Sequence, residues 1–195
     1  MTMAAQPMVI VLASGRGERF VASGGSGAKL HARLGGCTVL EHTLMAVQAS
    51  GLPWHLEAAM HPGMGDSIAA GVRATAGSPA WLILPGDLPL VQPETLRQIA
   101  QAPPSLDVVV PLVRTGNADD PVKGLQRGHP VRFSARCGPE LMQLTGPQGA
   151  AALVRVWGET LWPVQDAGCI LDIDTLADLH CAERLLGLRN FPLAG

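Results

Sequence analysis

The sequence predicts an α/β fold with three layers: a mostly parallel, Rossmann-like sheet with helices on both faces. Three observations carry this. The runs Met8–Leu12, Trp81–Leu84 and Val108–Val113 are apolar throughout and rich in Val, Ile and Leu, as strands covered on both faces are. Amphipathic, helix-forming stretches separate these runs. Capping and stop signals recur between them at the spacing of strand–helix units.

The elements follow in order. Met8–Leu12 is the first buried strand. Thr38-x-x-Glu41 is a capping box that opens a helix with Leu40, Leu44 and Val47 on one face, and Gly51-Leu52-Pro53 stops it. Trp54–Ala59 reads as a short strand. Gly63-Met64-Gly65-Asp66 leads into a helix from Ser67 to Thr75, with Asp66 as its N-cap. Trp81–Leu84 is a buried strand ending at Pro85-Gly86-Asp87-Leu88-Pro89, and Pro93 stands at the first position of the next helix. After the strand Val108–Val113, the polar stretch Thr115–Gln126 reads as a surface loop. Pro130–Phe133 reads as a strand, Pro139 starts a short helix, and Gly149–Val156 is another helix. Thr160–Val164 reads as a strand near the edge and Ile170–Ile173 as a short buried strand. Thr175-x-x-Asp178 caps a last helix carrying Leu176, Leu179, Ala182 and Leu186.

Length and composition bound the function. A chain of 195 residues, 47% hydrophobic and 15% charged, fits one folded domain spanning residues 1–195. The formal net charge of -2 argues against a nucleic-acid surface, so basic residues are read as a local site. Cys37, Cys137, Cys169 and Cys181 are scattered and form no CxxC pair, which disfavours a zinc site or a disulfide framework. No run is long enough to span a membrane, and no Lys or Arg precedes the apolar stretch Met8–Ala13. A cytoplasmic location is expected, with neither membrane nor nucleic acid as partner.

Chemistry concentrates at predicted strand ends, where open α/β sheets bind ligands. Ala13-Ser14-Gly15-Arg16-Gly17-Glu18-Arg19 follows the first strand, and Gly24-Gly25-Ser26-Gly27 then delivers Lys29. Glycine backbone can approach a ligand closely, and its N–H groups suit phosphate oxygens. Arg16, Arg19 and Lys29 add positive charge, which points to a polyphosphate site. Two familiar motifs fail. Phe20 stands where a dinucleotide fingerprint needs Gly or Ala, and Lys29 lacks the Ser/Thr of a Walker loop. Asp87, taken alone, makes a good turn between prolines; at a strand end it can also bind magnesium, which prefers oxygen ligands. Asp172 and Asp174 alternate, so both can face one metal, although Asp174 or Thr175 also suits a helix cap. Ser67, Asp87 and His129 follow the order of a hydrolase triad, but Gly65-Asp66-Ser67-Ile68-Ala69 lacks the last glycine of a nucleophile elbow. His31, His42, His55, His61 and His180 show no metal-ligand spacing and read as structural or solvated.

Together the segment Leu12–Phe20, Gly63-Met64-Gly65-Asp66-Ser67-Ile68, Pro85–Pro89, Gly128-His129-Pro130-Val131 and Leu171-Asp172-Ile173-Asp174-Thr175 resemble the nucleotidyltransferase family of molybdenum cofactor cytidylyltransferases and guanylyltransferases. The resemblance spans nearly the whole chain. It implies a Mg2+-dependent enzyme that transfers CMP from CTP to molybdopterin–molybdenum and releases pyrophosphate. Rival readings are a relative using GTP or another phosphorylated acceptor, and a non-catalytic carrier of the molybdenum cofactor. By this resemblance Arg16, Lys29 and Asp87 are catalytic, while Leu12, Ala13, Ser14, Gly15, Gly17 and Arg19 hold the triphosphate. Met64, Gly65 and Ser67 lie near the nucleoside, and Gly128 and His129 lie toward the pterin. Asp87 with Asp172 or Asp174 carries the metal. A transient contact with a molybdoenzyme or its maturation factor belongs to the same expectation. Relatives usually have one more strand and helix before Gly63, so a sheet one βα unit shorter is expected.

Overall fold

The computed structural model describes residues 5–15, 17–115 and 124–190. Arg16 and most of the polar stretch after Thr115 lie outside the described residues. The chain runs β1 (Met8–Leu12), α1 (Glu18–Ala22), β2 (Arg33–Leu34), β3 (Cys37–Thr38), α2 (Val39–Ser50), β4 (Trp54–Glu57), α3 (Met64–Ala74), β5 (Ala80–Pro85) and α4 (Pro93–Ala100). It continues with β6 (Val108–Arg114), β7 (Leu125–Arg127), β8 (Val131–Ser134), α5 (Gly138–Leu141), α6 (Ala151–Trp157), β9 (Thr160–Val164) and α7 (Leu176–Asn190).

Among the described residues the main sheet has seven strands in the order β4-β1-β5-β8-β6-β7, with β9 also pairing β6. β4 and β5 both run parallel to β1, and β9 runs parallel to β6. β8 is antiparallel to both β5 and β6, and β7 is antiparallel to β6. Five strands therefore share one direction and two oppose it, which is the mostly parallel sheet the sequence predicts. β2 and β3 form a separate small hairpin.

All of Val9, Ile10, Val11 and Leu12 are buried, because both faces of β1 are covered. One face packs Val9, Val11 and Leu84 against Val47 of α2 and Leu96 and Ile99 of α4. The other packs Ile10 and Ile83 against Ile68 and Val72 of α3, Leu141 of α5 and Leu153 of α6. A third cluster joins Phe20 of α1 to Leu90, Ile173 and Leu179. It anchors the glycine loop and the last helix to the rim of the sheet.

Several local expectations hold. The Thr38–Glu41 capping box is formed in both directions, Gly51 ends α2 in the left-handed conformation, and Pro93 opens α4. Others are corrected. α3 begins at Met64, not Ser67, and its N-cap is Gly63, not Asp66. The first turn is satisfied from outside: Gly65 N donates to the Gly146 carbonyl at 2.8 Å, and the Asp66 carboxylate accepts from Gly146 N at 2.8 Å. The end of the predicted loop after Thr115 is strand β7.

Ile170–Ile173 is not a strand. Asp166, only 2% exposed, accepts from Gly168 N, Gln92 N, Thr95 Oγ1 and the Cys169 thiol. Gathering these donors curls Ala167–Ile170 into a 3-10 turn. Gly168 lies so close to the Leu90 carbonyl that a Cβ there would meet its oxygen at 1.9 Å. Burial, and then the Asp166 carboxylate, push the Cys169 thiol well above its ordinary value, so it stays protonated.

Asp166→Ala leaves several buried donors without partners at once. It is expected to cost about 3 kcal/mol or more. In urea denaturation the midpoint should fall while the slope stays unchanged; an unshifted midpoint would show that Asp166 is not a structural tie.

Candidate functional site

The site forms where β4, β1 and β5 end side by side. Leu12 is in register with Glu57 on one side and Pro85 on the other. The backbone beyond β5 stays pressed to β1, because Gly86 N donates to the Leu12 carbonyl at 2.9 Å. A Cβ on Gly86 would meet that oxygen at 2.9 Å, and the Leu40 side chain at 3.0 Å, so a side chain here would push the turn away. Thr43 Oγ1 closes the turn from α2 by donating to the Gly86 carbonyl at 3.0 Å. Asp87 then stands at the rim.

The second acidic segment reaches Asp87 by a backbone contact. Ile173 N donates to the Asp87 carbonyl at 3.0 Å, and the Ile173 side chain is buried in the third cluster. The residues on either side of it, Asp172 and Asp174, are left at the surface of that cluster. Oxygen atoms of Asp87, Asp172 and Asp174 all lie within 4.8 Å of one another. The predicted acidic trio is thus assembled, through an extended segment and not through a strand.

Lys29 fills the middle of this trio. Its Nζ lies 2.5 Å from Asp87 Oδ2 and 2.9 Å from Asp174 Oδ1, while Arg19 Nη1 is 2.7 Å from Asp174 Oδ2. Burial opposes the Lys29 charge, but Asp87 and Asp174 outweigh it and hold its pKa above the ordinary lysine value. Asp174 shows the converse: burial raises it, yet Lys29 and Arg19 leave it below the usual carboxylate range. Among the described residues Asp172 makes no ion pair, and Lys29 offsets its surroundings only as the smallest cause. Burial, then the like charges of Asp174 and Asp87, push it up. Asp87 Oδ1 is buried without a hydrogen-bond partner.

Three adjoining cavities share Met64 and Pro85. One of about 300 Å³ runs from Lys29 and Asp87 past Ser14 and Gly15 to His61, Gly63, Met64 and Ser67. Another of about 350 Å³ lies over the acidic trio and takes in Arg19, Gln126, Arg127 and His129. The largest, about 690 Å³, has apolar walls from Ile83, Val110, Val131 and Phe133, with Arg127, Gln148 and Glu159 among the polar groups lining it.

The other predicted residues divide. Leu12, Ser14, Gly15, Met64 and Ser67 line the first cavity, and Ser14 Oγ lies 2.6 Å from Ser67 Oγ. Ala13 continues the ladder, donating its N–H to the Glu57 carbonyl. Gly17 has a left-handed backbone and packs on Lys29. Gly65 is buried against the Thr145–Gly146 backbone and lines none of these cavities. Gly128 permits close approach to the Cys169 carbonyl, which a Cβ would meet at 2.7 Å. His129 lines both larger cavities, and burial pulls its pKa below the ordinary histidine value despite the Asp87 charge.

Sequence reasoning missed two groupings. Arg127 donates Nε to Glu159 at 2.7 Å at the rim of the largest cavity; its place directly before Gly128-His129 was a usable signal. His61 lines the first cavity, and its Nε2 lies 3.1 Å from Glu57 Oε1. The i,i+4 spacing of Glu57 and His61 carries no such signal, because the chain there is a strand end followed by a loop.

A family model described as MobA-like NTP transferase domain matches residues 45–161. No curated protein sequence matches the chain. Among solved structures, Rv0371c from Mycobacterium tuberculosis H37Rv is 23% identical with a TM-score of 0.73, over 94% of this chain and 100% of that one. A nucleotidyl transferase from Methanothermobacter, Mth528, is 24% identical with a TM-score of 0.71, over 96% and 100%. CMP:2-keto-3-deoxy-manno-octonic acid synthetase complexed with CTP is 15% identical with a TM-score of 0.64, over 95% and 100%. These structures share the fold.

Asp172→Asn removes a charge that lies beside the like charges of Asp174 and Asp87. Because its pKa is raised on folding, ionised Asp172 opposes folding above that pKa, and the penalty vanishes below the unfolded value. The melting temperature of Asp172→Asn at pH 7 should therefore exceed that of the natural protein by about 1–3 °C, a small gain because the site is open to solvent. The gain should disappear as pH falls through the carboxylate range. Equal melting at pH 7 would remove the repulsion from the account.

Proposed function

The chain belongs to the MobA-like NTP transferase family, and we propose that it transfers CMP from CTP to a molybdopterin-type phosphate, releasing pyrophosphate. One observation carries the reading. Asp87 and the Asp172/Asp174 pair meet Lys29 at the common rim of β1 and β5, beside a cavity lined by the glycine loop. Carboxylates and one compact ammonium are the groups that handle a triphosphate and its cation.

The donor set fits magnesium: three carboxylates supply oxygen ligands, and Asp87 Oδ1 is a buried oxygen in need of a partner. Asp87 with Asp172 or Asp174 would hold the ion, which would neutralise charge on the phosphate oxygens. A structure of the Mycobacterium tuberculosis protein in complex with manganese supports a divalent ion in this fold. Gly15 and Gly17 offer backbone N–H groups, and Arg16, Arg19 and Lys29 offer charge, to the triphosphate. Ser14, Met64 and Ser67 line the space for the nucleoside. The apolar walls of the 690 Å³ cavity suit a flat ring system, and Gln148 and Glu159 can meet its polar edge. Gly128 and His129 border that space, and Arg127 can meet an acceptor phosphate.

The chemistry is positioning and charge neutralisation. An acceptor phosphate oxygen bonds to the α-phosphorus, and the bond to the bridging oxygen breaks. Pyrophosphate leaves with that electron pair. The attacking oxygen is already anionic at neutral pH, so no general base is required. His129, held neutral by burial, fits a binding role better than a proton-transfer role.

Asp87→Asn should lower kcat by about a hundredfold or more in a pyrophosphate-release assay with magnesium, CTP and molybdopterin. Near-natural activity would remove Asp87 from the mechanism. GTP supporting faster release than CTP would identify the guanylyl branch, and cofactor binding without any release would identify a carrier.

A further inference from the structure

The first cavity has two chemically different ends. Lys29 and Asp87 lie on the β5 side, and His61 on the β4 side. Glu57 and Pro85 flank Leu12 in register, so their backbones are about 10 Å apart, two strand spacings. That span leaves room in this cavity for a nucleotide with its phosphates at Lys29 and its base toward His61.

His61 is held there. Its Nε2 lies 3.1 Å from Glu57 Oε1, and Glu57 in turn accepts from the Ala59 amide at 3.1 Å, with His55 Nε2 3.6 Å from its Oε2. Burial raises the Glu57 pKa, but His61, the Ala59 amide and His55 outweigh it and leave it below the ordinary value. A carboxylate oxygen accepts, so Nε2 is the donor in this contact and the tautomer it selects carries its proton there. Nδ1 is then an acceptor, and it makes no hydrogen bond among the described residues. Met64, 50% exposed, lines the same cavity and offers an apolar face to a planar base.

We propose that His61, positioned by Glu57, reads the nucleobase by accepting a hydrogen bond from an exocyclic amino group, and so favours cytosine over uracil. The inference rests on the nucleotidyltransferase reading above and adds the base-selecting residue to it. Uracil carries a carbonyl oxygen where cytosine carries its amino group, so Nδ1 faces an acceptor instead of a donor. Glu57 acts only through His61.

The test compares kcat/KM for CTP, UTP and dCTP by pyrophosphate release, with calorimetric binding of each nucleotide in magnesium. The natural protein should prefer CTP to UTP. His61→Ala should lower the CTP:UTP ratio about tenfold, as loss of one base-edge contact does. Glu57→Gln should lower it as well, because an amide no longer fixes the tautomer. His61→Asn keeps an acceptor oxygen and should retain most of the preference; with Glu57→Gln it decides the matter if His61→Ala fails to fold. An unchanged ratio in folded His61→Ala and Glu57→Gln, or a change confined to CTP against dCTP, overturns the base-reading role alone. A natural protein that binds no nucleoside triphosphate overturns both readings.

Discussion

The ammonium of Lys29 sits between Asp87 and Asp174, and the shape of the rim follows from keeping those charges together. Three carboxylates with oxygens within 4.8 Å of one another repel, more strongly where protein displaces water. Lys29 and Arg19 answer two of the three negative charges. The balance left over falls on Asp172, whose pKa is raised, while that of Asp174 is lowered. A compact ammonium suits this place better than a guanidinium, because it can approach two carboxylates as a point charge. On the proposed function, Lys29 and a divalent cation would compete for the same oxygens.

Backbone contacts hold the charges where the sheet can use them. Gly86 presses the turn after β5 against the end of β1, and Ile173 fastens the second acidic segment to Asp87 through one amide and one buried side chain. Behind the rim, Asp166 folds the preceding turn onto the start of α4. The acidic trio is therefore a consequence of topology: parallel strands put their carboxyl ends side by side, and loops from distant parts of the chain meet there. The three adjoining cavities open beside this rim with Met64 and Pro85 in common.

Much of this was legible in the sequence because its signals are local. The all-apolar Met8–Leu12 run, the Thr38–Glu41 box and Pro93 each fix one element through neighbours a few residues away. Glycine loops and carboxylates after strands likewise announced the rim. What failed depended on partners far along the chain. The start of α3 is set by Gly146, and the turn at Ala167–Ile170 by Gln92 and Thr95, which no window around those residues contains. The surroundings of His61 were not legible for a related reason: it contacts a strand-end carboxylate and lines a cavity, neither of which leaves a spacing pattern. Asp172 and Asp174 were correctly grouped on a wrong premise, because extended chain alternates its side chains whether or not it joins a sheet.

The central claim is that Lys29 and a divalent cation share one set of oxygens, with triphosphate completing the exchange. A crystal grown with manganese and a non-hydrolysable CTP analogue tests it directly, because anomalous scattering locates the ion independently of the protein. The account predicts an anomalous peak bounded by Asp87 and Asp172 or Asp174, with the Lys29 ammonium turned onto phosphate oxygens. A peak elsewhere, with Lys29 still bridging Asp87 and Asp174 beside a bound nucleotide, would contradict it.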